Sequence, residues 1–321
     1  MKLNDNEPQK PKVFILFGPT ASGKTGLLEK LIDKGSPRIE IISADSMQVY
    51  RGMDIGTAKP SLAERVRVPH HLIDIRNPSE QFNAGEFVRL AEEACLAAID
   101  RGALPVVSGG AGFYLKNLVL GLSEAPPSDR ETRLALKEEL SVKGAASLME
   151  ELKKADPVSA GRIHINDEYR LLRALEVYRL SGRPLSSYAS PRFTEFTEFT
   201  RFTEGTGGAA DRPFHFLLTG LRRSREELYR RINERTAGMF RTGLPDEVKR
   251  LFEAGFTPAD PGLRAIGYRE FFIRDPDGTW RLSGDLAGVE ALVAQNSRRY
   301  AKRQITFFAS LPEVKWIDCE G

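Results

Sequence analysis

The stretch Gly18-Pro19-Thr20-Ala21-Ser22-Gly23-Lys24-Thr25 decides the fold of this chain. It fits the pattern G-x-x-x-x-G-K-[ST], whose glycines let backbone N–H groups face an anion while the lysine adds a positive charge. The apolar run Val13–Phe17 before it is typical of a parallel strand buried on both faces. An amphipathic pattern over Thr25–Lys34 predicts a helix behind it. The sequence therefore predicts a P-loop for a polyphosphate, with the Thr25 hydroxyl as a magnesium ligand.

The overall composition is that of a soluble globular protein. The chain has 321 residues, 41% of them hydrophobic and 28% charged, enough for two domains or one domain with a large insertion. No apolar run approaches the ~20 residues of a membrane span, and Met1–Lys12 is too polar for a signal peptide. Cys95 and Cys319 lack the spacing of a metal site. We therefore predict a cytoplasmic monomer without a membrane span.

The first third of the chain alternates strands and helices. Ile39–Ala44 reads as a second strand, which we expect beside the P-loop strand and which delivers Asp45 at its end. A helix over Glu86–Asp100 and a third strand over Leu104–Ser108 follow, and the chain then enters the turn Gly109–Gly112. Ligands of open parallel sheets bind beyond the carboxyl ends of the strands. The P-loop, Asp45 and the glycine turn should therefore converge.

A helical block interrupts this alternation. Helical periods run over Ser128–Leu140, Gly144–Lys154, Pro157–Arg162 and Asp167–Leu180, which predicts an inserted subdomain. We divide the chain into a first part of the α/β core at 10–123, an inserted helical subdomain at 124–190, a low-complexity linker at 191–211 and a completion of the core at 212–319. The linker contains a Phe-Thr-Glu repeat at 193–204.

The last part of the chain completes the predicted core. A strand at Phe214–Thr219, a helix from a capping box at Ser224–Glu227 to Thr242, a long helix at about Asp285–Ser310 and an edge strand at Val314–Asp318 are expected. The fold class is therefore α/β: a P-loop NTPase-like parallel sheet core with an inserted helical subdomain and a helical C-terminal part.

Asp45 has three possible roles at its strand end: a Mg²⁺ ligand, a general base, or a cap for the next turn. Its neighbours Ser46, Gln48 and Tyr50 favour a surface that hydrogen-bonds a base or nucleoside.

The strand Leu104–Ser108 has no acidic residue at its end, where ATPases place a Walker-B carboxylate. Motor and switch ATPases are thus disfavoured, and phosphotransferases and other transferases remain.

Basic residues cluster on both halves of the chain. Four positive charges fall within Arg298–Arg303, a run that is most often a solvated helix face. Arg170 and Arg173 share a face of the insertion, although an internal ion pair of Arg173 with Glu176 would also explain the latter. Together these clusters suggest a long polyanion as partner.

Three further groups of residues are candidates. Arg231 and Arg235 lie on one side of a predicted helix, so that one of them could reach a phosphate. The segment Arg264–Arg269 places charge beside the stackable Tyr268, a plausible pair for RNA. The adjacent His70 and His71 lack metal-ligand spacing and should shape a pocket wall.

In matching order from about Val13 to Phe308, these motifs resemble the tRNA dimethylallyltransferase (tRNA isopentenyltransferase) family. The resemblance rests on the P-loop and on these strings: Asp45–Tyr50, Gly52–Pro60, Pro69–Asp74, Ile163–Asp167, Arg173–Tyr178, Ala265–Glu270 and Tyr300–Thr306. The P-loop is shared by many families, whereas Asp45–Tyr50, Asp54–Pro60 and Lys302–Thr306 are far more specific.

The resemblance implies transfer of a dimethylallyl group, with Mg²⁺, from dimethylallyl diphosphate to N6 of the adenine just 3′ of the anticodon. Gly18–Thr25 would then hold the diphosphate rather than ATP, and Lys24 and Arg235 would neutralise its charge as it leaves. Thr20 would hydrogen-bond the oxygen that bridges the allyl carbon and the diphosphate. Asp45 would take the proton from N6, and the adenine would have to flip out of its stack.

The resemblance also implies that the insertion is a tRNA-binding subdomain and that the anticodon stem-loop is the partner. The implied tRNA contacts are Asp45, Ser46, Met47, Gln48, Ala111, Arg133, Tyr169, Arg170, Arg173, Arg264, Gly267, Tyr268, Arg269, Lys302, Arg303, Gln304 and Thr306. Ala111 stands where the family has Thr, Ile165 where it has Pro, and Phe307 where it has Trp.

Three alternatives stay open at this point. They are a P-loop small-molecule kinase, an adenylate isopentenyltransferase that acts on free nucleotide, and a non-catalytic RNA-binding protein.

Overall fold

The computed structural model describes residues 10–33, 38–188, 214–311 and 314–319. The chain divides into two compact units, one of Met1–Leu120 with Thr197–Gly321 and one of Gly121–Phe196. The insertion predicted at 124–190 falls entirely within the second unit. The linker predicted at 191–211, with its Phe-Thr-Glu repeat, lies outside the described residues.

A parallel sheet forms the base of the first unit. Its strands are β1 (Lys12–Phe17), β2 (Ile39–Ala44), β3 (His70–His71), β4 (Leu104–Gly109), β5 (His215–Arg222) and β8 (Lys315–Asp318); β6 (Phe272–Arg274) and β7 (Trp280–Leu282) form a separate antiparallel hairpin. The order across the sheet is β3-β2-β4-β1-β5-β8, and neighbouring strands run parallel. The predicted α/β class and parallel core are confirmed.

One part of the predicted topology is wrong. The strand β2, which delivers Asp45, does not adjoin the P-loop strand β1, because β4 lies between them and pairs with both. The close fit at the end of β4 depends on Gly109. A Cβ there would collide with the backbone of Ala44 on β2.

The helices follow the predicted periods closely. They are α1 (Lys24–Asp33), α2 (Leu62–Arg67), α3 (Ala84–Asp100), α4 (Gly112–Leu120), α5 (Arg130–Ala155), α6 (Pro157–Ala160), α7 (Glu168–Ser181), α8 (Arg225–Arg241), α9 (Leu244–Glu253) and α10 (Leu286–Ala309). Ser224 caps α8 as predicted, accepting from the backbone N–H of Glu227. The capping box is not closed, because the Glu227 carboxylate pairs with Arg230 instead. Among the described residues, no helix is both long and apolar enough to cross a membrane.

Two apolar clusters pack the parts of the first unit that surround the P-loop and the end of β2. In the first, Phe17 at the end of β1 contacts Phe308 of α10, with ring centroids 4.8 Å apart. In the second, Met53, Leu244 and Tyr268 are fully buried together. The first cluster holds the end of α10 against the strand that feeds the P-loop.

The second unit is a small helical body centred on α5 and α7. Leu136, Leu148 and Leu175 are buried between them. The helix α5 bends at Gly144, whose φ of 76° is the left-handed region that favours glycine. This bend falls where the sequence predicts a break between two helices.

Candidate active site

The P-loop bridges β1 and α1 and wraps around the side chain of Lys24. Gly23 has a φ of 101°, which only glycine adopts without strain, and Ala21 has a φ of 63°. The Lys24 ammonium donates to the carbonyl oxygens of Gly18 at 2.9 Å and Pro19 at 3.1 Å. The loop therefore holds its own lysine in place before any anion binds.

Burial, together with the positive charge of Arg235, lowers the pKa of Lys24 from 10.5 to about 8, and the carboxylate of Asp45 partly opposes this shift. Burial likewise lowers the pKa of Arg235. Two cations held close together in a cleft cost free energy unless an anion compensates them. The arrangement is thus suited to a polyanionic ligand.

Three arginines from the second half of the chain reach the P-loop. Arg223 Nε donates to the carbonyl of Ser22 at 2.8 Å, and Arg231 Nε donates to that of Ala21 at 2.9 Å. Arg235 Nη1 lies 3.5 Å from Thr20 Oγ1. Because Arg231 and Arg235 are one turn apart on α8, the helix presents both to the same loop. Sequence spacing predicted the Arg231–Arg235 pair, but nothing local to Arg223 distinguished it.

Gln304 of α10 joins the P-loop to the glycine turn after β4. Its Oε1 accepts from the Thr20 backbone N–H at 2.9 Å, and its Nε2 donates to the Gly110 carbonyl at 2.8 Å. The side chain is buried, with only 6% of the residue exposed. The prediction that Gln304 contacts tRNA is therefore corrected, since its amide is used inside the protein.

A cleft with two lobes opens in front of these residues. The large lobe has a volume of about 660 Å³ and is lined by the P-loop, and the small lobe has a volume of about 220 Å³. Five residues line both lobes, namely Thr20, Asp45, Thr57, Arg235 and Tyr300. Three of the four predicted catalytic residues thus lie where the lobes meet, and Lys24 lies in the large lobe.

Asp45 caps the turn that follows β2. One carboxylate oxygen accepts from the backbone N–H of Met47 at 2.8 Å, so the capping role considered from the sequence is observed. The other oxygen has no hydrogen-bond partner among the described residues, and it remains available as an acceptor in the cleft. The cap fixes the direction in which that second oxygen points.

Gln48 is held by internal contacts. Its Oε1 accepts from Ser43 Oγ at 2.9 Å, and its Nε2 lies 3.3 Å and 3.2 Å from the carbonyl oxygens of Thr57 and Ala58. A contact of the Gln48 amide with tRNA would therefore have to compete with these three hydrogen bonds inside the protein. Ser46 and Met47 line the small lobe, and their contact with tRNA stays a prediction.

Tyr268 is the clearest correction among the predicted RNA contacts. It is 0% exposed, and its hydroxyl donates to Glu247 at 2.6 Å, so no base can stack on its ring. Its neighbour Gly267 lines the small lobe. Arg264 and Arg269 are exposed on either side, where Arg264 donates to the Pro258 carbonyl at 3.1 Å.

The outward face of α10 is basic. Lys302, Arg303 and Thr306 are exposed, as a nucleic-acid contact requires. The Arg303 guanidinium lies 5.8 Å from the centre of the Tyr300 ring. Burial, reinforced by Asp45, raises the pKa of Tyr300 to about 12, so its hydroxyl stays protonated. The half-buried Ala111 is tied to β2, because its backbone N–H donates to the Ala44 carbonyl at 3.1 Å.

In the second unit the predicted RNA contacts surround Glu176, which is 0% exposed. Its carboxylate pairs with Arg133 at 3.1 Å and with Arg173 at 2.9 Å, so the internal ion pair considered from the sequence is present. The Arg133 guanidinium lies 4.6 Å from the centre of the Tyr169 ring, and Tyr169 is 70% exposed. Tyr169, with the exposed Arg170 beside it, is the more accessible part of this set.

Metal-ligating clusters are absent from the described part of the chain, which has no group of three or more His, Cys, Asp or Glu able to hold an ion. His70 lines the large lobe, as expected, and His71 pairs with the buried Glu40 at 2.8 Å. This donor set still fits Mg²⁺, which keeps several waters and binds through one or two protein oxygens and substrate phosphates. Thr25 lines the large lobe and exposes such an oxygen.

Comparison with known proteins gives one consistent result. The IPP transferase family model matches residues 48–311. The chain is 42% identical to tRNA dimethylallyltransferase 1 of Pelobacter propionicus over 97% of its own length and 94% of the relative's. It is 43% identical to tRNA dimethylallyltransferase of Geobacter sulfurreducens, covering 98% and 94% of the two chains.

Two solved structures agree with these relatives. The tRNA isopentenylpyrophosphate transferase of Bacillus halodurans is 35% identical with a TM-score of 0.63, over 97% of this chain and 90% of that one. A eukaryotic dimethylallyltransferase acting on tRNA is 28% identical with a TM-score of 0.72, over 96% and 74%.

Proposed function

The chain belongs to the IPP transferase family of tRNA-prenylating enzymes, and we propose that its two-lobed cleft is where a dimethylallyl group passes from diphosphate to tRNA. The observation that supports this most strongly is that Thr20, Asp45 and Arg235 line both lobes at once. Neither the kinase nor the free-nucleotide alternative draws support from the names of these relatives.

The large lobe is the proposed diphosphate site. The P-loop offers the backbone N–H groups of Gly23, Lys24 and Thr25, which line this lobe. Lys24, Arg231 and Arg235 supply positive charge around the same volume. Charge builds up on the diphosphate as the bond between the allyl carbon and the bridging oxygen breaks, and fixed cations stabilise that charge. The Thr20 hydroxyl accepts from Arg235 and would donate its own hydrogen to the bridging oxygen.

The small lobe is the proposed site of the acceptor adenine. In a direct displacement the attacking atom and the leaving group lie on opposite sides of the carbon. With the diphosphate in the large lobe, N6 of the adenine next to the anticodon approaches from the small one. N6 forms the new bond to the allyl carbon, diphosphate departs with the electrons of the broken C–O bond, and Asp45 accepts the N6 proton.

Mg²⁺ belongs to the same proposal. Thr25 would hold it together with diphosphate oxygens, and the ion would supply neutralisation of the leaving group. The exposed residues Lys302 and Arg303 of α10, and Tyr169 and Arg170 of the second unit, are the proposed contacts to the anticodon stem-loop. We also propose a cytoplasmic, monomeric enzyme.

The test is transfer of labelled dimethylallyl diphosphate to tRNA in the presence of Mg²⁺. We expect label at the adenine 3′ of the anticodon, and a loss of at least about 100-fold in rate for Asp45→Ala, as for removal of a general base. Glu253→Gln, on the exposed surface of α9, is the matched control. Unchanged rates in Asp45→Ala, or label elsewhere in the tRNA, would refute the assignment.

A further inference from the structure

A buried carboxylate outside the reacting centre holds one wall of the small lobe. Glu247 of α9 is 2% exposed and accepts from the backbone N–H groups of Asp54 at 3.0 Å, Ile55 at 2.9 Å and Gly56 at 3.2 Å. Its Oε1 also accepts from the Tyr268 hydroxyl at 2.6 Å. Successive backbone N–H groups of this kind form a concavity that binds anions. Here the anion is the protein's own side chain.

Glu247 bonds to two segments that form two of the walls of the small lobe. Gly56 and Thr57 form one of these walls, and Ala265–Gly267, directly before Tyr268, form another; α8 and α10 also line the lobe. No side chain separates these walls at Gly56, where a Cβ would lie only 2.5 Å from the Tyr268 ring. The spacing of the walls is therefore set by the contact of Tyr268 with Gly56 and by its hydrogen bond to Glu247.

The loop that Glu247 holds is also connected to Asp45 through Gln48. The carbonyl oxygens of Thr57 and Ala58 face the Gln48 amide, and Gln48 is three residues from Asp45. Lys59, whose side chain is 1% exposed, fixes the far end through Asp74 at 2.6 Å. A shift of the 54–56 backbone would thus change the width of the small lobe and the position of Asp45, the proposed base.

We propose that Glu247 and Tyr268 are positioning residues that fix the width of the acceptor lobe and so determine how tightly the tRNA base binds. The inference rests on the proposed function, because it takes the small lobe as the site of the acceptor. Neither residue lines the cleft, so neither touches substrate.

The hydrogen-bonding chemistry of Glu247 and Tyr268 suits two residues that hold the wall of the small lobe in a fixed position. A buried carboxylate is tolerated when several donors satisfy it, and removal of its partners leaves charge or dipoles uncompensated. Burial and the adjacent Glu247 raise the pKa of Tyr268, so its hydroxyl remains a donor at every physiological pH.

The test compares Glu247→Gln and Tyr268→Phe with the surface control Glu253→Gln in the full-length enzyme. The Gln amide turns one acceptor oxygen into a donor that faces N–H or O–H groups, whereas Tyr268→Phe removes only one hydroxyl from a packed ring. We expect KM for tRNA to rise about tenfold or more in Glu247→Gln and about threefold in Tyr268→Phe, as for loss of hydrogen bonds to a charged group. KM for dimethylallyl diphosphate and the Kd of inorganic diphosphate should stay within about twofold, because the P-loop contacts are untouched.

If Glu247 and Tyr268 only stabilised the fold, both variants would have a lower thermal midpoint and a smaller fraction of active enzyme. KM for tRNA and KM for dimethylallyl diphosphate would then not change by different factors. An unchanged KM for tRNA in folded Tyr268→Phe, or equal shifts of both KM values, would overturn the inference. If Glu247→Gln does not fold, Tyr268→Phe alone decides the question. Failure of the proposed function is distinguished separately, since it would appear as unchanged activity of Asp45→Ala.

Discussion

Replacement of Gln304 by leucine separates a structural role from an RNA contact. Leucine is close to glutamine in size and keeps the apolar contacts of α10, but it removes both hydrogen bonds of the amide. The P-loop would lose its acceptor at the Thr20 N–H, and the turn after β4 would lose its donor at the Gly110 carbonyl.

The magnitude follows from the burial of the two groups. The bond to Gly110 is buried, so its carbonyl bears the full cost of an unsatisfied polar group, about 1–3 kcal/mol. The Thr20 N–H is only partly buried beside the cleft, so water replaces part of that bond and the cost is about 1 kcal/mol. We therefore expect a loss of about 2–4 kcal/mol in the free energy of unfolding of the first unit.

Urea unfolding followed by tryptophan fluorescence measures this directly, because the two tryptophans of the chain, Trp280 and Trp316, both belong to the first unit. The Kd of inorganic diphosphate should also rise, since Thr20 lies in the loop that Gln304 holds. Gln304→Glu keeps the acceptor but places a carboxylate against the Gly110 carbonyl, so it should be at least as destabilising. The matched control is Thr306→Ala, on the exposed face of the same helix, and it should leave stability unchanged.

A Gln304→Leu variant that unfolds at the wild-type urea concentration yet binds tRNA weakly would contradict a structural role for Gln304. That result would return Gln304 to the RNA contacts that the sequence suggests.

Three further predictions concern single positions. Because the pKa of Lys24 is about 8, affinity for inorganic diphosphate should fall as the pH rises through that value, and Lys24→Arg should show no such fall when titrated calorimetrically. Gly56→Ala should lower the free energy of unfolding by about 1–3 kcal/mol, because its Cβ would lie 2.5 Å from Tyr268, while Gly26→Ala, with no atom within 4 Å, should not destabilise in the same denaturation assay. Lys302→Ala should reduce the slope of log K for tRNA against log salt by about 1, as for one lost phosphate contact, and an unchanged slope would exclude that contact.

Patterns of neighbouring residues predicted most of the helices and strands of the chain. The P-loop, the strand before it and the helix after it have compact sequence signatures, and the helix boundaries follow from caps and glycines. Gly144 and Gly182 mark a bend and an end of helices, and both adopt positive φ. Such features depend on residues a few positions apart, which periodicity and capping rules describe.

What the sequence could not supply is the pairing of distant residues. Tyr268 lies between exposed arginines, which favours a surface position, yet its partner Glu247 is 21 residues earlier and Gly56 comes from the other half of the unit. Gln304 contacts Thr20 from 284 residues away. The order of β4 and β2 is a similar case, since it depends on the fit of Gly109 against Ala44. The resemblance implied the family's reaction but could not distinguish contacts with RNA from contacts within the protein.

The end of β4 supports the proposal that this P-loop holds a leaving group rather than ATP. An ATPase needs a carboxylate there, but Gly109 has no room for a Cβ, and a Cβ on Gly110 would lie 2.5 Å from the Gln304 amide. A neutral amide thus faces the loop at the point where an acid would hold a metal and a hydrolytic water. Among the described residues, Asp45 is the only acidic side chain that lines both lobes, and it directly follows the neighbouring strand β2. In the proposed reaction Asp45 would take the proton of an acceptor in the small lobe, and the cations around the P-loop would stabilise the diphosphate on the opposite side. Proton removal and charge neutralisation would then be separated, as alkyl transfer requires.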